Sequence, residues 1–443
     1  MKKYKLKEVT KFTKKKFNSI PNLKIYLVIS VFVLGLKIFW LTRVLKFFDF
    51  ENPDSEGYLS LASNLHGAYF NQNMEFNELT LLRTPGYPLF LAVLNSNKIL
   101  VIATQLILHI VITFLTLFIS KRTLGISNSK TGILAFLIVQ IEISMLVYSY
   151  LILTEILFTC VLMVLLYLIL KTMKNEKFSI SSIGFFTLLL FLLLMIRPIG
   201  IAISAIFMIL IVLVQNKKVF IYLFTIVLGL SLSYSTYNLI TKHVFTMSTS
   251  QNFYLFIYQG VASKSLTIGE NLESVSDDEV ALRDSLLGDG ATYSQIDSYN
   301  RNRALNLITE NKVSFLKLNA SGIFKLLYSP NRTELIKLLS DGNRIKFSEN
   351  ISNLIIFLAA SITFVISTLG IIGAIKHFRK SDYHRVLAVT LFIFIILSSG
   401  ANAYARFRVP IAPILSLYCA LELYNLAKRV KNYKLRYHIS NSI

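Results

Sequence analysis

Apolar residues in this chain come in long unbroken blocks, and the polar residues gather in the gaps between them. The three-to-four-residue alternation of a soluble amphipathic helix is missing from the blocks. A run of about 17–25 apolar residues can cross a hydrocarbon layer about 30 Å thick as a helix. Ten blocks reach or approach that length: roughly 23–47, 98–120, 131–150, 152–170, 180–196, 198–214, 219–240, 352–375, 386–400 and 409–427. The pattern predicts an all-α polytopic membrane protein with about ten transmembrane helices (8–13), the ninth being the shortest.

Two gaps are too long for tight turns. In the first, residues 48–97, the side chains of Tyr58, Leu61, Ala62, Leu65, Ala68 and Tyr69 fall on one helical face, which predicts a helix lying along the membrane surface. Pro85 and Pro88 then bracket a turn before Leu89 to Leu94 lead back towards the membrane. In the second, residues 241–350, 12 basic and 12 acidic side chains make the segment too polar for lipid. There Ser276-Asp-Asp-Glu279 predicts a capped helix start with a stop near Gly288, and a second helix follows over about 294–310. Phe315, Leu316, Leu318, Phe324, Leu326 and Leu327 predict amphipathic packing against the top of the membrane. The chain thus divides into an N-terminal membrane module, 1–240, an external helical region, 241–350, and C-terminal spans, 351–443.

Composition agrees: 54% of the 443 residues are hydrophobic and 16% charged. A net charge of +22 would suit nucleic acid, but its placement points elsewhere. The short segments 1–24, 121–130, 171–177, 216–218, 376–385 and 428–443 hold 26 Lys and Arg against Glu8, Glu176 and Asp382. This is the positive-inside asymmetry, which places both termini in the cytoplasm with an even number of spans. No nucleic-acid partner is expected. The basic stretch ahead of the first block is not followed by a small-residue cleavage site and reads as an uncleaved signal anchor of a cytoplasmic-membrane protein. Cys160 and Cys419 both fall inside spans, which predicts neither a disulfide framework nor a thiolate metal site.

The chemistry concentrates on the outer side. The first outer loop gathers Asp49, Glu51, Asp54, Glu56 and Glu75 with Arg83 at the mouth of a span, where burying unpaired charge costs several kcal/mol. Asp54 could cap the surface helix or act as a general base on an incoming hydroxyl or amine, with Glu56 its closest competitor. Arg83, held by Thr84-Pro85-Gly86, could grip a phosphate through two hydrogen bonds or simply snorkel to the interface. Arg197-Pro-Ile-Gly200 and Arg406-Phe-Arg408-Val-Pro410 also reach the outer membrane face, where the charge bias should deplete arginine. Three such clusters favour an anionic partner there. Glu155 opens the fourth span and Glu142 lies within the third; either could pair with an arginine. His66, His109 and His243 lack the spacing of a helical zinc pair, and no Walker loop or dinucleotide fingerprint is present.

Asp54-Ser-Glu-Gly-Tyr58 with the following Leu-Ser-Leu-Ala62, then Arg83-Thr-Pro-Gly-Tyr-Pro-Leu-Phe-Leu-Ala92, resembles the first outer loop of GT-C glycosyltransferases. Leu153-Thr-Glu155, Arg197-Pro198 and Arg406-Phe-Arg-Val-Pro410 stand at similar stations in the bacterial relatives of glycosyltransferase family 39, the protein mannosyltransferase and aminoarabinose transferase group. The resemblance implies an inverting transfer of a sugar from a polyprenyl-phosphate donor to an extracytoplasmic glycan, lipid or protein of the cell envelope. It implies Asp54 as catalytic base, although Ser55 separates Asp54 from Glu56 where many relatives have an adjacent acidic pair, so either carboxylate remains a candidate. Arg83, Arg197, Arg406 and Arg408 become donor-phosphate ligands, and Tyr58, Tyr87 and Glu155 substrate-positioning side chains. No metal or other cofactor is expected for the chemistry, and the partners are the donor, the acceptor and membrane lipids. Two alternatives remain: an O-antigen-type polymerase or ligase using polyprenyl-diphosphate glycans, and a lipid-linked-sugar flippase.

Overall fold

A computed structural model describes residues 23–44, 50–66, 83–124, 129–173, 180–214, 217–288, 290–340 and 347–440. Asp49, Ala68, Tyr69, Glu75 and the basic residues ahead of Leu23 lie outside them. In chain order the helices are α1 (Leu23–Val44), α2 (Pro53–His66), α3 (Gly86–Val93), α4 (Lys98–Leu124), α5 (Ser129–Ile141), α6 (Ile143–Tyr148), α7 (Glu155–Thr172), α8 (Ile180–Ile196), α9 (Gly200–Val214) and α10 (Lys217–Lys242). The external region continues with α11 (Ser250–Leu255), a π-helical turn (Phe256–Val261), α12 (Ala262–Ile268), α13 (Leu272–Leu287), α14 (Tyr293–Glu310), α15 (Lys312–Tyr328) and α16 (Arg332–Leu339). The chain ends in α17 (Glu349–His377), α18 (Asp382–Leu397), a 3-10 helix (Ala405–Ile411) and α19 (Ala412–Ser440).

Each of the ten apolar blocks is helical over most of its described length, and the protein is a multi-pass helical membrane protein. Among the described residues six helices are long and apolar enough to cross: α1, α4, α7, α10, α17 and the 3-10 helix running on into α19. The apolar parts of α5, α8 and α9 are shorter. Burial separates a centre from a rim. The most apolar 18-residue stretch within Ala405–Tyr433 is 78% buried and α7 is 67% buried, against 22% for the apolar stretches of α1 and α10. The central helices pack on protein, whereas α1 and α10 present Val31, Phe32, Ile221 and Ile240 outward, as a lipid-facing surface requires.

Two expectations need correction. The third block is not one helix over 131–150, because the chain breaks at Glu142, which sits in an extended conformation and caps α6. Its carboxylate accepts from Met145 N at 2.7 Å and from Ser144 Oγ at 2.7 Å. The helix expected to open at Ser276 begins earlier, at Leu272. Asn271 takes the capping role by accepting from Glu273 N, and Glu279 is buried instead against Lys264 and Arg303. That helix does stop at Gly288, and α14 opens with a reciprocal cap between Thr292 and Gln295.

Candidate functional site

The site forms where loop ends from across the chain meet at one end of the bundle. Pro53 supplies the first residue of α2, where its missing N–H costs nothing. Asn52, just before it, accepts from Asp54 N at 3.4 Å, so the capping role falls to Asn52 and the Asp54 carboxylate is left for other partners. Ser55, fully buried, ties this start to the loop ahead of α7: its hydroxyl donates to Ile152 O at 2.8 Å and accepts from Asn52 N at 2.9 Å. Ile152 N in turn donates to Phe50 O at 2.9 Å. The serine between the two acidic residues is therefore the staple that sets Asp54 beside the start of α7.

Arg83 arrives by a different device. A Cβ on Gly86 would stand 2.5 Å from Met195 O, so only glycine lets the start of α3 press against the end of α8. That contact brings Arg83 and Arg197 to the same place. Arg197 lies between α8 and α9, and Arg406 lies on the 3-10 helix that feeds α19.

Asp54 accepts from Arg83 Nη2 at 3.0 Å through one carboxylate oxygen and from Arg406 Nη1 through the other. Arg406 also donates through Nε to Glu155 Oε1, which accepts from Arg197 Nη1 at 3.1 Å as well. Glu155 is fully buried, and its second oxygen has no partner among the described residues. Three guanidinium groups thus face two carboxylates, leaving one positive charge in excess. Arg83 is further held over the Tyr58 ring, 4.6 Å from its centre, and Arg197 over Phe407 at 5.3 Å. Burial pushes the Asp54 carboxyl up, but Arg406 and Arg83 outweigh it and hold the pKa at about 2. In the free protein Asp54 is ionised and engaged on both oxygens.

These groups line a cavity of about 530 Å³. Asp54, Arg83, Arg197 and Arg406 form its charged side, and Pro198, Ile199, Ile201, Ala202 and Leu397 an apolar side. Tyr254 and Tyr258 from the external region form a third wall. That size and mixture suit a small-molecule or lipid headgroup site.

The structure brings together Asp54, Tyr58, Arg83, Glu155, Arg197 and Arg406. All of these but Glu155, which lies buried behind Arg197 and Arg406, line the cavity, and three other expected residues stand apart from the cluster. Glu56 is exposed and is not among the lining residues. Tyr87 is fully buried behind Tyr58, edge to face at 5.2 Å, with its hydroxyl donating to Gln105 Oε1 at 3.0 Å. Arg408 is sealed away: its Nε donates to Glu142 Oε1 at 2.9 Å and its Nη1 to the carbonyls of Leu326, Leu327 and Ser329 at 3.0–3.2 Å. It closes the C-terminal end of α15, where orphan carbonyls and the helix dipole both favour a cation. Arg408 is therefore a structural clamp in this arrangement, correcting its expected place among the phosphate ligands. Tyr254 and Tyr258 were missed by sequence reasoning; the signal available was two tyrosines four residues apart in a polar external segment, hence on one helical face.

Fold and site together define a multi-pass helical membrane protein with an arginine-rich cavity where its spans begin. No protein-family model matches the chain, and no curated protein sequence matches it. Among solved structures it is similar to the archaeal oligosaccharyltransferase AglB from Archaeoglobus fulgidus, in complex with an inhibitory peptide and a dolichol-phosphate. That similarity has 13% sequence identity and a TM-score of 0.45, covering 96% of this chain and 52% of that one. The chain spans about half the length of that structure, and a likeness of this size carries no argument about its chemistry.

Proposed function

We propose that the protein is an integral-membrane glycosyltransferase that moves a sugar from a polyprenyl-phosphate donor to an extracytoplasmic acceptor with inversion at the anomeric carbon. The observation that carries this reading is Asp54 gripped between Arg83 and Arg406 in a cavity with one apolar side and a surplus positive charge. An amphipathic anion answers both features: its phosphate meets the guanidinium groups, and its isoprenoid tail follows the apolar side towards lipid.

In the proposed step the acceptor oxygen or nitrogen attacks the anomeric carbon from the side opposite the phosphate. The carbon–oxygen bond to the phosphate breaks, and its electron pair leaves with the polyprenyl phosphate. Asp54 takes the proton that the acceptor loses. Arg83 and Arg406 stabilise the negative charge gathering on the leaving phosphate, and Arg197, braced by Glu155, adds to the same field. A carboxylate held at a pKa of about 2 is a weak base. A bound phosphate shares the two guanidinium groups that hold it down, and so makes Asp54 more basic when a donor is in place. The topology read from the charge bias puts this chemistry on the outer face, with both termini in the cytoplasm. No metal enters the step.

The test is sugar transfer in purified membranes from polyprenyl-phosphate-linked hexoses and pentoses, comparing wild type with Asp54→Asn. The neutral amide is expected to fold and to cut transfer on the order of 10²–10⁴-fold. Full activity in a folded Asp54→Asn protein would remove Asp54 as the base. No transfer by wild type from any monosaccharide donor would overturn the reading itself.

A further inference from the structure

The third wall of the cavity is built by residues that no step above uses. Tyr254 and Tyr258 are half-buried, line the cavity and stand 5.6 Å apart between ring centres, with planes tilted by 30°. Neither hydroxyl takes part in a hydrogen bond among the described residues. Burial raises both phenol pKa values, that of Tyr254 to about 12, so both hydroxyls carry their protons at neutral pH and can donate. The nearby charges Asp54, Arg83 and Arg406 all act on Tyr254, and Asp54 acts on Tyr258, which puts the pair next to the ion cluster.

The pair is also fastened to the element that carries Arg406. Tyr258 lies in the π-helical turn, a local widening that often marks functional positions. Its carbonyl accepts from Ala401 N at 3.3 Å. The next residue, Gln259, donates to Ser399 O at 3.0 Å and accepts from Asn319 Nδ2 at 3.2 Å, while Ser399 Oγ donates to Asn319 Oδ1 at 2.8 Å. Gly400 has φ +127°, and a Cβ there would stand 2.1 Å from Gln259 Nε2, so this junction requires glycine. The loop joined in this way runs directly into the 3-10 helix of Arg406. Aromatic wall and guanidinium grip therefore keep a fixed separation.

We propose that Tyr254 and Tyr258 are positioning residues that hold the sugar ring of the lipid-linked donor, stacking on its C–H face and hydrogen-bonding its hydroxyls. The inference rests on the donor reading given above. A sugar bonded to a phosphate at the arginines must lie within one ring of them, and this wall is an uncharged, hydroxyl-bearing surface beside them. A fixed separation between wall and arginines sets the angle at which the anomeric carbon meets the acceptor.

The test measures equilibrium binding by the full chain in lipid nanodiscs, using bare undecaprenyl phosphate and undecaprenyl phosphate carrying glucose, mannose or galactose. Wild type is expected to bind at least one sugar-bearing lipid about tenfold more tightly than the bare one, and Tyr254→Leu/Tyr258→Leu is expected to erase that gap while keeping bare-lipid affinity. Tyr254→Phe/Tyr258→Phe, which keeps the rings and so the fold, is expected to retain part of the gap. Arg83→Ala should weaken every lipid equally. A gap that survives loss of both rings, or no gap in wild type that still binds bare lipid, overturns the inference and leaves the donor-phosphate reading standing. A raised acceptor KM with donor binding unchanged assigns the wall to the acceptor and also overturns it. Absence of lipid binding by wild type overturns both readings.

Discussion

Arg406 and Arg408 stand two residues apart on one 3-10 helix, and with three residues per turn their side chains leave the axis about 120° apart. Both are almost fully buried. Arg406 turns to the cavity and joins Asp54 to Glu155, two carboxylates from the first turns of separate helices. Arg408 turns into the protein and meets one carboxylate, Glu142, and three helix-terminal carbonyls. The first set borders open space and carries an excess positive charge. The second pairs one cation with one anion in the interior. Burial alone does not separate a binding group from a clamp; what separates them is whether the charges already cancel and whether a cavity adjoins them.

The largest expected effect comes from breaking the closed set. Arg408→Met leaves Glu142 as a buried, uncompensated charge, at a cost of about 3–5 kcal/mol. The expected outcome is a collapse in folded yield in detergent and a large drop in the unfolding midpoint. Arg406→Met leaves Asp54 with Arg83 and Glu155 with Arg197, so it is expected to fold and to lose lipid-phosphate binding and transfer. If Arg408→Met folds normally and loses only binding, the clamp and the ligand have been assigned the wrong way round.

A smaller effect separates the two sets by pH. Asp54 has a carboxyl pKa depressed from about 3.8 to about 2. Its ionised form is favoured by folding, so the stability it adds is fully present above about pH 4 and is lost as pH falls through about 2. Unfolding free energies of wild type and Asp54→Asn, from denaturant titrations, are expected to differ by roughly 2 kcal/mol near neutrality and to converge as pH approaches 2. A gap that stays constant over that range means the arginine pairs contribute nothing measurable.

Much of the ion cluster at the cavity was legible in the chain because charge beside an apolar block demands a reason: Asp54, Arg83, Glu155, Arg197 and Arg406 all stand at such borders and meet. The helical blocks were legible for the same reason, since apolar runs of span length have few other uses. What was hidden depends on distant partners. Glu142 breaks a continuous apolar run, yet its partner lies 266 residues away, and no local spacing announces the break. The different directions of Arg406 and Arg408 follow from the 3-10 geometry, which Arg-Phe-Arg-Val-Pro does not announce by itself. Tyr254 and Tyr258 reach the cavity only because Gln259 and Ser399, 140 residues apart, hold the external region against the loop ahead of Arg406.

The smallest effect tests the other carboxylate of the first loop. Glu56 follows Asp54 by two residues on α2, about 200° around the helix, and is exposed where Asp54 faces the arginines. Its position in the first turn gives it a favourable interaction with the helix dipole, about 0.3–1 kcal/mol at a surface site. Glu56→Gln should therefore lower stability by no more than that and change sugar transfer by less than about twofold, since surface substitutions away from a site perturb little. The measurement is the initial transfer rate beside Asp54→Asn in the same membranes. A loss of tenfold or more in Glu56→Gln, with Asp54→Asn nearly active, would move the base to Glu56 and reduce the Arg83–Asp54–Arg406 arrangement to a second clamp, of the same kind as Arg408 with Glu142.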